Sequence, residues 1–239
     1  MRAGTSTKLT FEPHREFDPA WSADGSYVAF TMTKNDGTFG LYRRRANGSG
    51  ETELLDGSAQ VFKSPAWSLD DRLLVYTKGT QHNGDLWTVP LRGERKRSSF
   101  LNTPYDESNP SFSPDGRWIA YQSNKSGRTE VYVRAFTEDG GEIKISQHGG
   151  RAPRWRADGR ELFFLAPDSR LMAAGFDPNK DDPAMVPEEL FQTGLRDPGT
   201  QRAYDVARDG RRFLIPTVRN APGSRAITVV LNWPATRAK

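Results

Sequence analysis

The side chains best suited to chemistry in this chain are carboxylates, arginines and three histidines, and their spacing limits what they can do. His14, His82 and His148 stand far apart, with no second imidazole at ligand spacing and no His-Glu-x-x-His. There is no cysteine to supply thiolates, so neither a helix-borne zinc site nor a thiolate site is indicated. No serine lies in Gly-x-Ser-x-Gly, and no Gly-rich loop with a paired lysine, His-Arg-Asp or Asp-Phe-Gly is present. A nucleophile elbow and a kinase centre are therefore both unsupported. Asp177-Pro-Asn-Lys-Asp181, with Glu188 at the twelfth place, imitates half a calcium loop. Asp182 stands where that bend calls for glycine and Pro183 follows, so a solvated insertion is expected instead. What remains is a set of residues that share one position in a repeating pattern: Arg15, Glu16, Asp18, Lys63, Tyr105, Asp106, Glu107, Asn109, Arg151 and Arg202.

Each of these precedes a copy of the same unit. Its clearest form is Asn109-Pro-Ser-Phe-Ser-Pro-Asp-Gly-Arg-Trp-Ile-Ala-Tyr121. Pro114 presets a type I turn, and Gly116 can take the left-handed conformation that makes the bend a hairpin with a bulge. The strand that follows is apolar at every position, as in a strand sandwiched between layers. Further copies begin at Asp18, Ser64, Ala152 and Ala203. The turn aspartates Asp24, Asp70, Asp115, Asp158 and Asp209 recur with a period of roughly 40–50 residues, the signature of a β-propeller.

The expected fold is all-β: a propeller of about five four-stranded blades in a single domain over 1–239, with repeats near 12–55, 56–101, 102–146, 147–193 and 194–233. The last repeat lacks an outer strand, and Thr7–Phe11 reads as an orphan one. Pairing Thr7–Phe11 beside Ala226–Trp233 would close the ring and remove exposed sheet edges. Trp21, Trp67, Phe112 and Trp155, three residues before their turn aspartates, are expected to pack between blades rather than to stack on a ligand. Inner strands are expected to start near each proline, with Arg15–Asp18, Phe62–Ser64, Tyr105–Asn109, Gly149–Ala152 and Gln201-Arg202 as loops gathered at one channel mouth. Polar and aromatic loop residues on a rigid scaffold are the usual place for binding.

Composition narrows the partners. The formal net charge is +4, from 34 lysines and arginines against 30 acidic residues. Arg43-Arg44-Arg45 and the cluster Arg92–Arg97 are read as solvated strands and loops rather than a nucleic-acid surface, because acidic residues are interspersed and no aromatic-basic motif accompanies them. No window approaches the roughly 20 apolar residues of a membrane span. The N-terminal residues lack the apolar core of a signal peptide.

The repeats resemble the WD-like repeats of TolB-type propellers over nearly the whole chain. The later segments Gly149-Gly150, Pro153-Arg-Trp-Arg156, Asp158-Gly-Arg-Glu-Leu-Phe-Phe-Leu165, Tyr204-Asp-Val206, Asp209–Ile215 and Ile227–Trp233 resemble the end of the propeller region of some bacterial receptor-type serine/threonine kinases. Those proteins join a cytoplasmic kinase, a membrane span and an extracytoplasmic propeller. The resemblance implies an extracytoplasmic sensor or scaffolding module without cofactor, binding a protein, peptide or small molecule at the channel-mouth loops. Two rivals remain: a lactonase-like metal hydrolase, for which Glu16, Asp18, Asp106, Glu107 and Asn109 are the candidate ligands, and the gating propeller of a prolyl-peptidase-type enzyme.

Overall fold

Each repeat is organised by its turn. In the computed structural model, which describes residues 8–11, 13–80, 82–137, 140–180, 182–195, 203–217 and 226–230, Gly25, Gly116, Gly159 and Gly210 take φ between 66° and 71°. Asp71 holds the same position at φ 53°. Each donates its N–H to the carbonyl three residues back: Ser22, Ser113, Arg156, Ala207 and Ser68 respectively. The serine of Ser-x-Asp ties the hairpin together. Ser68 Oγ donates to Asp70 at 2.7 Å and accepts the N–H of Leu73 at 3.0 Å. Ser22 and Ser113 do the same with Asp24 and Tyr27, and with Asp115 and Trp118. The Ser68 hydroxyl holds the Asp70 carboxyl below its ordinary range.

Four sheets of four strands result, each antiparallel and in sequence order. They are β1 Arg15–Trp21, β2 Tyr27–Thr33, β3 Phe39–Arg45 and β4 Glu53–Ser58; then β5 Val61–Trp67, β6 Leu73–Gly79, β7 Gly84–Pro90 and β8 Ser98–Leu101. The third is β9 Glu107–Phe112, β10 Trp118–Ser123, β11 Glu130–Ala135 and β12 Glu142–Lys144; the fourth is β13 Arg151–Trp155, β14 Glu161–Leu165, β15 Arg170–Gly175 and β16 Glu188–Gln192. A fifth sheet has three strands, β17 Asp205–Val206, β18 Phe213–Thr217 and β19 Ala226–Val230. No helix occurs among the described residues. The chain packs as two compact units, Met1–Pro104 with the first two sheets and Tyr105–Lys239 with the other three. The fully buried second strands behave as their composition requires: Ala29, Leu74, Val75, Tyr76, Ile119, Ala120, Tyr121, Leu162 and Leu165 are all inaccessible.

Two expectations are corrected. Residues 8–11 form no strand, and Phe11 is exposed, so the proposed closure by Thr7–Phe11 is not found among the described residues. The fifth sheet correspondingly has no fourth strand among them. The inner strands also begin earlier than their prolines suggest. Asp18, Ser64, Asn109 and Ala152 all adopt φ of 50° to 54°. At these points two residues of the inner strand face one of its neighbour: Asp18-Pro19 against Phe30, Ser64-Pro65 against Tyr76, Asn109-Pro110 against Tyr121 and Ala152-Pro153 against Phe164. A bulge carries the ladder past a proline that cannot donate. Most of the supposed entry-loop residues are therefore strand residues.

Two of the periodic aromatics, Trp67 and Trp155, pack between sheets. Trp67 Nε1 donates to the Ala20 carbonyl at 2.9 Å, and Trp155 Nε1 to the Ser111 carbonyl at 3.2 Å. In each case the indole of one blade is fastened to the inner strand of the blade before it. Phe112 is buried against Phe136, edge to face at 5.4 Å. Trp21 is instead 61% exposed.

Asp71 adds a second lock between the first two blades. Its carboxylate accepts the N–H groups of Ala23 at 2.7 Å and Asp24 at 3.1 Å. Glycine would suit the φ of this turn better, yet Asp71→Gly is expected to destabilise. Relieving a left-handed residue returns about 1–2 kcal/mol, while two charge-assisted bonds at the weak, exposed end of their range contribute about 3. A net loss of about 1 kcal/mol by urea denaturation is the expected result.

Candidate functional site

The strongest candidate lies where β10–β11, β12–β13 and β14–β15 connections meet in the second unit. A pocket of about 420 Å³ is lined by Arg128, Thr129, Gly149, Gly150, Arg151, Leu165, Pro167 and Ser169. Its walls depend on close backbone approach. Gly149 sits at φ 95°, and a Cβ there would come within 2.5 Å of Pro167. A Cβ on Gly150 would meet the Ser146 side chain at 2.7 Å. This explains why two glycines stand together ahead of the fourth inner strand.

Beneath the pocket, Glu130 fastens the loop. Its carboxylate has no solvent exposure and accepts from the Gly149 N–H at 2.8 Å, from Arg128 Nε at 2.7 Å and from the Ser146 hydroxyl. Lys144 Nζ stands 3.2 Å away. Burial opposes the charge, but the bonds from Ser146, Arg128, Lys144 and Gly149 outweigh it and hold the carboxyl below its ordinary range. Arg128 reaches further, donating to the Gln147 carbonyl at 2.6 Å. Arg151 donates from Nη2 to Ser169 Oγ at 3.2 Å, which orients its guanidinium at the wall of the pocket.

Of the residues expected to bind, only Arg151 lines this pocket. Asp18 and Asn109 occupy the left-handed bulge positions, where Asp and Asn are better tolerated than most residues. Asp18 Oδ2 accepts the N–H of Ser64 at 3.0 Å, linking the first two blades. Asn109 donates to Gln122 Oε1 at 2.9 Å, and the same oxygen accepts the N–H of Ala152 at 3.0 Å. Glu107 is buried and accepts the Ser123 hydroxyl at 3.1 Å. These three are strand-to-strand ties rather than loop residues open to a ligand. Arg15, Glu16 and Lys63 lie on β1 and β5, with Arg15 exposed. Tyr105 and Asp106 remain in a loop, Tyr105 exposed and the Asp106 N–H bonded to Asn124 at 3.0 Å. Arg202 lies outside the described residues.

Sequence reasoning missed Arg128, Thr129, Ser169 and Glu130. A glutamate opening the strand ahead of the apolar run Val131-Tyr132-Val133 was the available signal for Glu130, since a charge there needs partners. Among the described residues, no group of three or more His, Asp or Glu is arranged to hold a metal. The basic clusters are tied to acids: Arg43 and Arg95 share Glu53, and Arg97 reaches the buried Asp56 at 3.2 Å. Asp56 also accepts from Tyr76 at 2.7 Å and Lys78 at 3.0 Å. No helix of the described residues is long and apolar enough to cross a membrane.

No protein-family model matches the chain. Among curated relatives, it is 39% identical over 83 residues to "Tricorn protease homolog 1" of Streptomyces coelicolor, which covers 33% of this chain and 7% of that protein. It is 33% identical over 85 residues to "Tol-Pal system protein TolB" of Zymomonas mobilis, covering 35% of this chain and 18% of that one. The chain thus spans a small part of the length of these relatives. Among solved structures, TolB from Acinetobacter baumannii superposes with a TM-score of 0.69 at 17% identity, over 89% of this chain and 51% of that one. An oligogalacturonate lyase from Vibrio parahaemolyticus gives 0.64 at 13% identity, over 87% and 64%. Four-stranded antiparallel sheets in sequence order, bulged inner strands and these structural neighbours together make the fold a TolB-like β-propeller.

Proposed function

We propose that this chain is a non-catalytic binding module, the sensory or scaffolding part of a larger bacterial receptor on the extracytoplasmic side, and that it takes a protein, peptide or small molecule through the pocket around Arg151. The observation that carries this reading is the use made of the carboxylates. Asp18, Glu107 and Glu130 are each engaged with backbone or hydroxyl groups, and Arg151, held by Ser169 Oγ at 3.2 Å, stands at a pocket wall beside backbone of Gly149 and Gly150. A planar guanidinium in a rigid frame suits a carboxylate-bearing ligand. Attachment to a receptor kinase rests on the resemblance of the later repeats alone.

A second reading has specific support: the propeller of a peptidase, screening access to a hydrolase domain elsewhere. The chain is 28% identical over 132 residues to "Dipeptidyl-peptidase 5" of Trichophyton tonsurans, covering 51% of this chain and 18% of that one. In that case too the propeller performs no chemistry of its own.

The test is a thermal-shift screen of the purified chain against short peptides with free carboxyl termini, with metal content measured on the same sample. The expected result is a stabilising shift that Arg151→Ala abolishes. A stoichiometric metal, or a shift that Arg151→Ala leaves unchanged, would overturn the reading.

A further inference from the structure

The fourth blade breaks the repeat, and the break builds a pocket. Its third and fourth strands are joined by residues 176–187, about twice the length of the corresponding connections in the other blades. Instead of trailing in solvent, the insertion folds back on its own sheet. Phe176 bridges to Ala184, the Asp177 N–H donates to the Pro183 carbonyl at 2.8 Å, and the Met185 N–H donates to Gly175 at 2.9 Å. Gly175 leaves room for this: a Cβ there would lie 2.7 Å from Met185 Sδ, which would have to shift. The insertion thereby walls a cavity of about 500 Å³ on the side of the Asp-Gly turns, within the size range of small-molecule sites.

The chemistry of that cavity is specific. Trp118 and Phe176, edge to face at 5.4 Å, and the half-exposed Met185 give it an apolar wall. Two of its carboxylates are already neutralised, Asp115 by Arg117 and Asp158 by Arg156, each at 2.6 Å. Among the described residues the Arg160 guanidinium makes no hydrogen bond, its charge acting on Asp158, and the Asp177 carboxylate accepts only from Asn179, at 3.1 and 3.2 Å. The Trp118 indole N–H is also without a partner. With Asp115 and Asp158 paired, Arg160 and Asp177 leave charge of both signs on the lining, which favours neither a cation nor an anion. A ligand that both donates and accepts at close intervals, carries no net charge and has an apolar face matches Asp177, Arg160 and the apolar wall.

We propose that this cavity binds a neutral polyhydroxylated ring, a saccharide unit, stacked on the Trp118–Met185 wall and hydrogen-bonded by Asp177, Asn179 and Arg160. Ring C–H groups supply the apolar face, and vicinal hydroxyls match a carboxylate on one side and a guanidinium on the other. The site is separate from the Arg151 pocket and does not rest on the function proposed for it.

The experiment is saturation-transfer NMR on the purified chain with glucose, galactose, N-acetylglucosamine and their short oligomers, followed by titration of whichever responds. At least one neutral sugar is expected to bind with Kd near or below about 1 mM. Asp177→Ala combined with Asn179→Ala, both on the exposed insertion, should weaken it by about tenfold or more, whereas Arg151→Ala should leave it unchanged. Galacturonic acid should bind more weakly than galactose. The proposal is overturned if no neutral sugar binds, if the double substitution leaves binding intact, or if Arg151→Ala abolishes it.

Discussion

Trp155→Ala is expected to lower the unfolding free energy by about 3–5 kcal/mol, the range for removing a large aromatic from a core. The ring lies among Ala120, Val131, Val133, Ile145, Leu162, Phe164 and Ala174, residues drawn from two consecutive blades. It meets Phe176 edge to face at 5.1 Å, and its indole N–H satisfies the Ser111 carbonyl at 3.2 Å. Truncation therefore leaves a cavity and an unpaired carbonyl together, at a seam where neither blade can collapse alone. Trp21→Ala, at the same place in the first repeat, should change stability by less than about 0.5 kcal/mol, because its ring is already in water. Parallel urea titrations of the two variants check both claims. Equal effects would show that the packing of these tryptophans is not what separates them.

That contrast also marks how far the sequence could be read. The turn was legible because the residue after each turn aspartate is one that tolerates the left-handed conformation, and all five copies place glycine or Asp71 there at positive φ. The buried second strands were legible because Trp118-Ile-Ala-Tyr121 and its counterparts are apolar on both faces. Trp21 was misread because periodicity reports the position of a residue within its blade, not whether a neighbouring blade covers it. Asp18, Glu107 and Asn109 were misread for a related reason. A polar residue before a proline has the composition of a loop, and only the bulge shows that the ladder resumes beyond it. The partners that give these side chains structural roles, such as Ser64 for Asp18, are a whole repeat away in sequence. The two pockets were illegible because each is lined by segments from successive connections, with Arg128, Gly149 and Pro167 in one and Ser113, Asp158 and Met185 in the other.

Replacing Glu130 is expected to be the most damaging single change near the Arg151 pocket. Glu130→Ala should cost about 2–6 kcal/mol, the scale for leaving two buried donors unsatisfied at about 1–3 kcal/mol each. Arg128 and Lys144 can turn to water, but the Ser146 hydroxyl is fully buried and the Gly149 N–H is fixed by its loop. Glu130→Gln keeps the shape and one acceptor, so its loss should be smaller. The two variants also separate structure from charge through pH. Because the folded-state carboxyl is held below its ordinary value of 4.5, its contribution is fully present above that value and drains away as pH falls through the lowered one. Wild type should therefore lose stability on acidification from pH 5 to pH 3 more steeply than Glu130→Gln, which has nothing to protonate there; other turn aspartates with lowered values, Asp70 among them, contribute equally to both. Denaturation midpoints at a series of pH values measure the difference. Parallel slopes for wild type and Glu130→Gln would mean that the Glu130 carboxylate is not stabilised by Ser146, Arg128 and Gly149 in the folded protein, and would remove the support on which the geometry of the Arg151 pocket rests.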